Sequence, residues 1–231
     1  TPLLAHEDLK LLAAFEPTDE WVLEPGDILY VPPGFAHNGV AVGSDCMTYS
    51  VGFRAPSRSD LLGHFVDDIL DGIPDDELYR DPDLARQANP GEILPDALGR
   101  LQQMMLESLS DPANFARWFG TFNSTPKYAD MDWQPETPVE PEDVRASIND
   151  AVPLLRNPAS RLVFIANGDD AVMLFADGIC FDCFGETAAL ARSVCAQDSV
   201  ILDAALASAP AVVDLLTQLC NMGCIAFESE E

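Results

Sequence analysis

The sequence predicts an α+β fold made of stretches that differ in texture, and three observations support this prediction. Short β-rich runs separated by turn signals fill residues 1–56. Apolar residues at helical spacing dominate residues 57–127. After a linker rich in proline and acid at residues 128–141, a helix, a hairpin and further helices are predicted in residues 142–231. These four ranges are the predicted domain organisation.

Composition and charge exclude several classes of protein. Hydrophobic residues make up 48% of the 231 residues, which is typical of a globular chain and excludes disorder. The 39 acidic residues outweigh the 12 lysines and arginines, giving a charge of −27 that argues against a general nucleic-acid binder. The same charge suits a basic protein partner. No apolar run is long enough to cross a membrane, and six cysteines are too few for a disulfide scaffold. We therefore expect a cytoplasmic protein with reduced thiols.

The N-terminal range alternates between predicted strands and turns. Residues 28–31 are a β-rich run bounded by the turn signals Glu-Pro-Gly-Asp at 24–27 and Pro-Pro-Gly at 32–34. Residues 39–42 and 46–53 predict two further strands. This order indicates the end of an antiparallel sheet or barrel.

Three helices are predicted in the second range. Ser59 and Asp60 cap the first, whose apolar stripe reaches Leu70, and the second carries a stripe from residue 98 to residue 109. The third is short and contains Phe115 and Trp118. Such stripes usually pack within the domain, and contact between two copies is the other interpretation.

The C-terminal range predicts a small module that resembles a winged helix. Its elements are a helix at 144–151, strands at 161–166, 172–175 and 179–181, and helices near 186–196 and 210–222. Asn167-Gly168 joins the first two strands as a hairpin turn. Its only cations are Arg145, Arg156, Arg161 and Arg192, which are too few for phosphate contacts. We therefore predict a domain for protein interaction or dimer support rather than for DNA binding.

The most specific motif lies in residues 26–37, where the spacing G-x5-P-x-G-x2-H ends on His37. Gly26 permits a tight turn into a strand, and the bend at 32–34 fixes where His37 enters the next strand. A histidine on rigid β-structure can offer a neutral imidazole nitrogen to a metal ion. His37 is therefore predicted to be a metal ligand, and the alternative is a surface or capped histidine at a turn.

This motif matches the second half of the cupin metal-binding pattern. Together with residues 47–56, the segment 23–37 resembles the bacterial ribosomal oxygenases of the JmjC (cupin-like) family. The resemblance implies the C-terminal part of a double-stranded β-helix (cupin/JmjC) barrel, then a helical dimerisation region and a winged-helix-like domain. It also implies a homodimeric dioxygenase that uses Fe(II) and 2-oxoglutarate to hydroxylate an arginine of a large-subunit ribosomal protein.

By this resemblance, His37 is the distal iron-binding histidine. Thr48 and Ser50 lie on the following strand, where the family lines its 2-oxoglutarate pocket. They share one face of a strand, so their hydroxyls are predicted to bond a carboxylate of the cosubstrate. In the alternative, Met47 or Tyr49 faces inward and the two hydroxyls lie on a solvated face.

The family's other two ligands form an H-x-D motif that lies well upstream of the distal histidine. His6-Glu7-Asp8 has this spelling, but it is rejected because it lies too close to His37 and lacks β-rich flanks. We expect that the chain is a C-terminal part of the enzyme, inactive alone and active as the full-length parent. The alternative is a metal-free cupin-like binding or scaffold protein in which His37 is structural.

Four cysteines and one acidic run allow further interpretations. Cys180, Cys183, Cys220 and Cys224 could by count form a zinc site or, for the first two, a redox pair, but small buried hydrophobes explain them better. His64 is predicted to make a packing or dimer contact. The acidic residues of 67–77 are predicted to form a solvated face, or to attract the basic substrate.

Overall fold

A computed structural model describes most of the chain, in two compact units, Thr1–Arg54 and Ala55–Glu231. The described residues are 2–5, 11–52, 55–73, 78–82, 86–127 and 132–228. Every helix and every paired strand among them lies in the second unit. No helix within these ranges has the length and apolar character that a bilayer crossing requires.

The described part of the first unit consists of turns, bends and chain without regular secondary structure. An isolated antiparallel bridge joins Leu3 to Leu12. The two predicted turns are present: Asp27 N donates to Glu24 O at 3.0 Å, and Phe35 N donates to Pro32 O at 3.3 Å. Gly26 and Gly34 adopt φ values of +98° and +85° at these turns, a backbone region that glycine tolerates best.

The strands predicted at 28–31, 39–42 and 46–53 are not formed among the described residues, and this part of the prediction is wrong. A strand is stable only when a neighbouring strand pairs its backbone and an opposing layer covers its apolar face. Here neither is provided, because Ile28 is 95% and Tyr49 86% exposed. The alternating pattern is present in the sequence without the partners that would turn it into a sheet.

Helices α1 (Arg58–Gly72), α2 (Pro95–Leu109) and α3 (Pro112–Ser124) confirm the three predicted helices. The cap of α1 lies two residues earlier than predicted, at Ser57, whose Oγ accepts from Asp60 N at 3.0 Å. Phe65 of α1 packs against Phe115 and Trp118 of α3, with ring centroids 5.2 and 4.9 Å away. No side chain of α2 is buried.

The remaining elements form a winged-helix-like module with two small antiparallel sheets. They are α4 (Pro141–Asn149), β1 (Leu154–Arg156), β2 (Leu162–Ala166), β3 (Ala171–Ala176), β4 (Ile179–Phe184), α5 (Glu186–Ala196), β5 (Ser199–Val200), a 3-10 turn (Ala204–Ser208), α6 (Pro210–Asn221) and β6 (Ile225–Phe227). The sheet orders are β5-β1-β6 and β2-β3-β4. The predicted hairpin, third strand and helices are confirmed, whereas β1, β5 and β6 were not predicted.

Helix α3, predicted to belong to the helical range, packs on the β2-β3-β4 sheet. Gly120 lies against the ring of Phe175, a residue of β3 with no exposed surface. Arg117 donates to both carboxylate oxygens of Asp182 on β4, at 2.8 and 3.0 Å. Ser124 Oγ accepts from Gly178 N at 3.1 Å. The main core lies on the other sheet face, where α5 covers residues such as Val172 and Leu174.

The described part of the predicted linker is fixed to the module. Val139 N donates to Asn221 Oδ1 at 2.7 Å, and Asn221 Nδ2 donates to Val139 O at 2.9 Å. The backbone of Trp133 lies so close to Gly223 that a Cβ at this glycine would be 2.1 Å from Trp133 O. Residues 132–140 therefore lack regular structure but have specific partners.

Candidate functional site

His37 lies two residues after the Pro32–Phe35 turn and is exposed. Its Nδ1 is 3.3 Å from Phe35 O. A carbonyl oxygen only accepts, so Nδ1 is the donor in this contact, and Nε2 is the nitrogen that a neutral ring would offer to a metal ion. A backbone carbonyl bonded to one ring nitrogen is a common way of orienting the other toward a metal ion. The local geometry is thus compatible with a ligand, although it involves one side chain only.

Thr48 and Ser50 lie outside regular secondary structure and are exposed. Within the described residues, neither hydroxyl makes a hydrogen bond, and none joins them to His37. The structure therefore leaves the three predicted site residues as separate exposed groups. Their assignment to metal and cosubstrate stays a prediction.

A complete metal centre is not present in the part of the chain that the structure describes. No group of three His, Cys, Asp or Glu side chains with metal-binding spacing is found there. The rejected H-x-D at 6–8 lies outside the described residues. A two-histidine, one-carboxylate iron site needs three donors on one face, so His37 by itself does not fit the group.

The cysteines occupy separate structural environments. Cys180 and Cys183 are three residues apart on β4, so their side chains point to opposite sheet faces and a disulfide between them is excluded. Arg117 Nη1 contacts Cys180 Sγ at 3.0 Å. Burial raises the pKa of the Cys220 and Cys224 thiols to about 12, which keeps them protonated and unreactive. No geometry among the described residues supports the zinc alternative.

The four arginines of the module already have partners within the protein. Arg145 pairs with Glu142 at 3.0 Å, and Arg156 pairs with Asp198. Arg161 donates to Thr125 O at 3.0 Å, and Arg192 donates to Gly168 O at 3.0 Å. A phosphate-binding surface needs several unengaged cations, so these contacts do not favour nucleic-acid binding.

The remaining predicted features lie on α1. The His64 ring packs against Phe122 of α3 with a centroid distance of 5.2 Å and an interplanar angle of 38°, which is a packing contact. Asp67 and Asp68 are exposed, whereas residues 74–77 of the acidic run lie outside the described residues. The ion pair between Arg117 and Asp182 was missed, because no local pattern joins residues of a helix and a strand so far apart in sequence.

Comparison with known proteins identifies both halves of the chain. Residues 1–61 match the JmjC domain, and residues 107–226 match the ROXA-like winged helix. The ribosomal protein uL16 3-hydroxylase of Escherichia coli is 38% identical over 173 residues, which are 75% of this chain and 45% of that protein. A probable ribosomal oxygenase of Haemophilus influenzae is 32% identical over 110 residues, 42% of this chain and 25% of that protein.

Solved structures of a ribosomal oxygenase are also similar to this chain. The E. coli ribosomal oxygenase YcfD, in complex with cobalt and 2-oxoglutarate, is 28% identical with a TM-score of 0.65, covering 78% of this chain and 48% of that one. Its complex with cobalt and succinic acid matches equally. The chain thus spans less than half the length of these relatives. The predicted fold class, a JmjC/cupin portion followed by a winged helix, is confirmed. Because the winged-helix match covers more than half of its residues, the chain belongs to the JmjC-domain ribosomal oxygenase family that carries a ROXA-like winged helix.

Proposed function

We propose that the protein hydroxylates an arginine of a large-subunit ribosomal protein, with Fe(II) as metal and 2-oxoglutarate as cosubstrate. One observation carries this proposal: the JmjC match at residues 1–61 contains the motif that ends on His37, and the winged-helix match follows it in the same chain. The relatives with this combination are named as ribosomal oxygenases, and one is a uL16 3-hydroxylase.

His37 is the proposed metal ligand of this chain, through Nε2. The bond between Nδ1 and Phe35 O holds the ring so that Nε2 faces away from the backbone. We assign the hydroxyls of Thr48 and Ser50 to a carboxylate of 2-oxoglutarate, since residues two apart would lie on one side of a strand in the complete barrel. When bound, the metal and the cosubstrate would supply the oxidising chemistry. The protein's own residues would hold both and position the substrate.

The 231 residues alone are proposed to be inactive. One imidazole is a weak site for Fe(II), and no lysine or arginine lies between Lys10 and Arg54 to hold the cosubstrate. The H-x-D pair and the basic residue are therefore assigned to chain that precedes these residues in the parent protein. This division predicts that activity requires the two parts together.

The surface of the second unit suits the proposed partner and assembly. Asp67, Asp68 and Asp71 of α1 are exposed, and the charge of −27 attracts a basic ribosomal protein before contact is made. Leu70 of α1 and Met105 of α2 are more than half exposed on amphipathic helices. We propose that these helices form a homodimer contact and that the protein acts in the cytoplasm.

The test is hydroxylation by the protein extended upstream to the relatives' length. Purified large-subunit ribosomal proteins are incubated with this protein, Fe(II) and 2-oxoglutarate, and the gain of one oxygen atom is located by mass spectrometry. We expect an arginine to be modified and His37→Ala to reduce the rate to background. His64→Ala is the matched control, because His64 is also exposed but packs against Phe122, and it should retain activity.

The outcomes separate the two functions under consideration. Full activity of His37→Ala would contradict the ligand role of His37. Absence of any hydroxylation or 2-oxoglutarate turnover by the extended protein would favour the metal-free scaffold. Modification of a residue other than arginine would leave the oxygenase in place and correct its target.

A further inference from the structure

The winged-helix module has one sheet edge without a partner, at β2. In the β2-β3 ladder, Asp177 N donates to Arg161 O and Asn167 N donates to Ala171 O. Antiparallel pairing alternates, so the backbone groups of residues 161, 163, 165 and 167 face β3. The N–H and C=O groups of Leu162, Phe164 and Ala166 therefore point away from the sheet. Within the described residues, none of these groups has a hydrogen-bond partner.

The opposite edge of the same sheet, β4, is protected. The N–H of Phe184 donates to Thr187 Oγ1 at 2.8 Å, and this hydroxyl donates back to Phe184 O at 2.9 Å. Asp182 carries a charge on the strand, and Arg117 lies along it. Charged and capped edges are the usual defence against pairing with another chain. Strand β2, Leu-Val-Phe-Ile-Ala, has no charged residue or proline of its own. The Arg192 guanidinium lies over the Phe164 ring, 5.4 Å from its centroid, but it does not bond the outward backbone groups of β2.

A cleft of about 690 Å³ lies beside the beginning of this edge. Its lining includes Leu162 and Val163 of β2, Arg156, Arg161 and Asp198. Arg156 pairs with Asp198, but no carboxylate pairs with the guanidinium of Arg161 in the described chain, where it donates to carbonyl oxygens. The cleft thus gives both space and an unneutralised positive charge at one end of β2.

The other end of the edge is acidic. The hairpin tip after Ala166 contains Asp169 and Asp170, both exposed and without side-chain hydrogen bonds in the described structure. Arg192 donates to Gly168 O and Asp169 O at this tip, so two carboxylates stand there against one guanidinium. The edge therefore has the guanidinium of Arg161 at its start and an excess of carboxylates at its end. Such a pattern is complementary to itself when two copies run antiparallel about a twofold axis.

We propose that β2 pairs antiparallel with β2 of a second copy, joining two three-stranded sheets into one of six strands. With the axis at Phe164, Arg161 faces Asn167 of the second copy. Asp169 and Asp170 of that copy then reach the cleft beside Arg161. The outward backbone groups of Leu162, Phe164 and Ala166 gain partners in this arrangement. The proposal goes beyond the proposed function and does not depend on it.

The most direct test is amide hydrogen exchange of the full chain, resolved by residue with NMR. On raising the protein concentration from about 10 μM to about 1 mM, we expect protection of the Phe164 and Ala166 amides to increase at least about tenfold, as for amides that become paired. The amides of Val163 and Ile165 already bond to β3 and serve as internal controls without change. Concentration-independent exchange at all four positions would overturn the proposal.

Two pairs of variants identify the contact by light scattering. Phe164→Pro removes an outward N–H that β3 does not use, whereas Phe164→Leu keeps it; we expect only the proline variant to lose the association. Asp170→Lys should weaken it about fivefold to tenfold, the range for losing two symmetric exposed ion pairs, while the matched Asp214→Lys on α6 should not. Circular dichroism shows whether each variant is folded. If Phe164→Pro does not fold, the test of the β2 pairing rests on Asp170→Lys. An unchanged assembly mass in Asp170→Lys would contradict the pairing.

This test is independent of the proposed dimer contact at α1 and α2. Met105→Lys changes that helical surface and leaves β2 intact. If both contacts form, each variant alone removes one of the two contacts and leaves a smaller oligomer held by the other. The two substitutions together should give monomers. A mass that responds to Met105→Lys but not to Phe164→Pro would overturn the β2 pairing alone.

Discussion

Gly120 is the position where the packing of α3 on the sheet can be tested most sharply. A Cβ placed there would be 2.2 Å from Phe175 Cζ and 2.3 and 2.5 Å from its Cε2 and Cε1. Ordinary carbon contacts lie at about 3.5–4.0 Å. Phe175 has no exposed surface, so its ring cannot turn into solvent. Gly120→Ala therefore requires α3 to move away from β3.

Two opposing terms set the magnitude. Alanine is favoured over glycine inside a helix by about 0.8–1.0 kcal/mol. Overpacking a core costs about 1–3 kcal/mol, and an overlap of more than 1 Å against a buried ring belongs near the upper end. We expect the free energy of unfolding of Gly120→Ala to fall by about 2 kcal/mol.

The assay is urea unfolding followed by circular dichroism. Gly63→Ala in α1 is the matched control, because no atom lies within 4 Å of its new Cβ, and it should gain about 0.5–1 kcal/mol. Adding Phe175→Leu to Gly120→Ala should cost less than the sum of the single changes, since a smaller side chain relieves the overlap. A Gly120→Ala protein as stable as Gly63→Ala would refute the close packing of α3 on β3.

Three further measurements test the packing of the winged-helix module and the burial of its cysteines. Gly223→Ala should destabilise the module and alter Trp133 fluorescence, because φ is +73° and the new Cβ would be 2.1 Å from Trp133 O; unchanged fluorescence and stability would contradict this contact. Burial raises the pKa of Cys220 and Cys224 to about 12 from 9.0, so stability should be complete below pH 9 and fall as pH rises toward 12, where unfolding releases these protons. The urea midpoint should therefore be lower at pH 10.5 than at pH 8. At pH 8, a thiol reagent should label the exposed Cys46 but not Cys220 or Cys224. Equal labelling of the three thiols would refute the burial of Cys220 and Cys224.

Local signals predicted the helical and hairpin elements well. The Asn167-Gly168 turn, flanked by apolar runs, identified the β2-β3 hairpin, because turn chemistry and period-two alternation act within a few residues. Helix α5 was predicted at 186–196 and runs from Glu186 to Ala196. Apolar spacing decides such helices, so the surrounding fold changes them little.

Elements that depend on distant partners were not predictable in the same way. Strand β1 has three residues and exists because it pairs with β5 and β6, which lie far along the chain. The opposite error occurred at residues 28–31, where a strong β pattern has no partner to pair with. Sequence periodicity shows which face a strand would bury, but not whether a neighbour is available.

Of the candidate site, only the local surroundings of His37 were predictable from the sequence, because they too depend on residues close by in the chain. The bend at 32–34 is a local feature, and the structure places it directly before His37. The other donors of a metal centre come from distant chain, so neither the spacing nor the described residues bring them next to that ring. The roles of Thr48 and Ser50 depend on the same missing neighbours.

The visible absorption spectrum of Co(II) bound to the upstream-extended protein tests the role of His37 most directly. We expect the wild-type protein and His64→Ala to give Co(II) d–d bands that shift when 2-oxoglutarate is added, because a coordinated imidazole and the cosubstrate both change the ligand field. His37→Ala should lose affinity for Co(II) and the shift. Identical Co(II) affinity and an identical shift in His37→Ala would contradict the assignment of this imidazole to the metal.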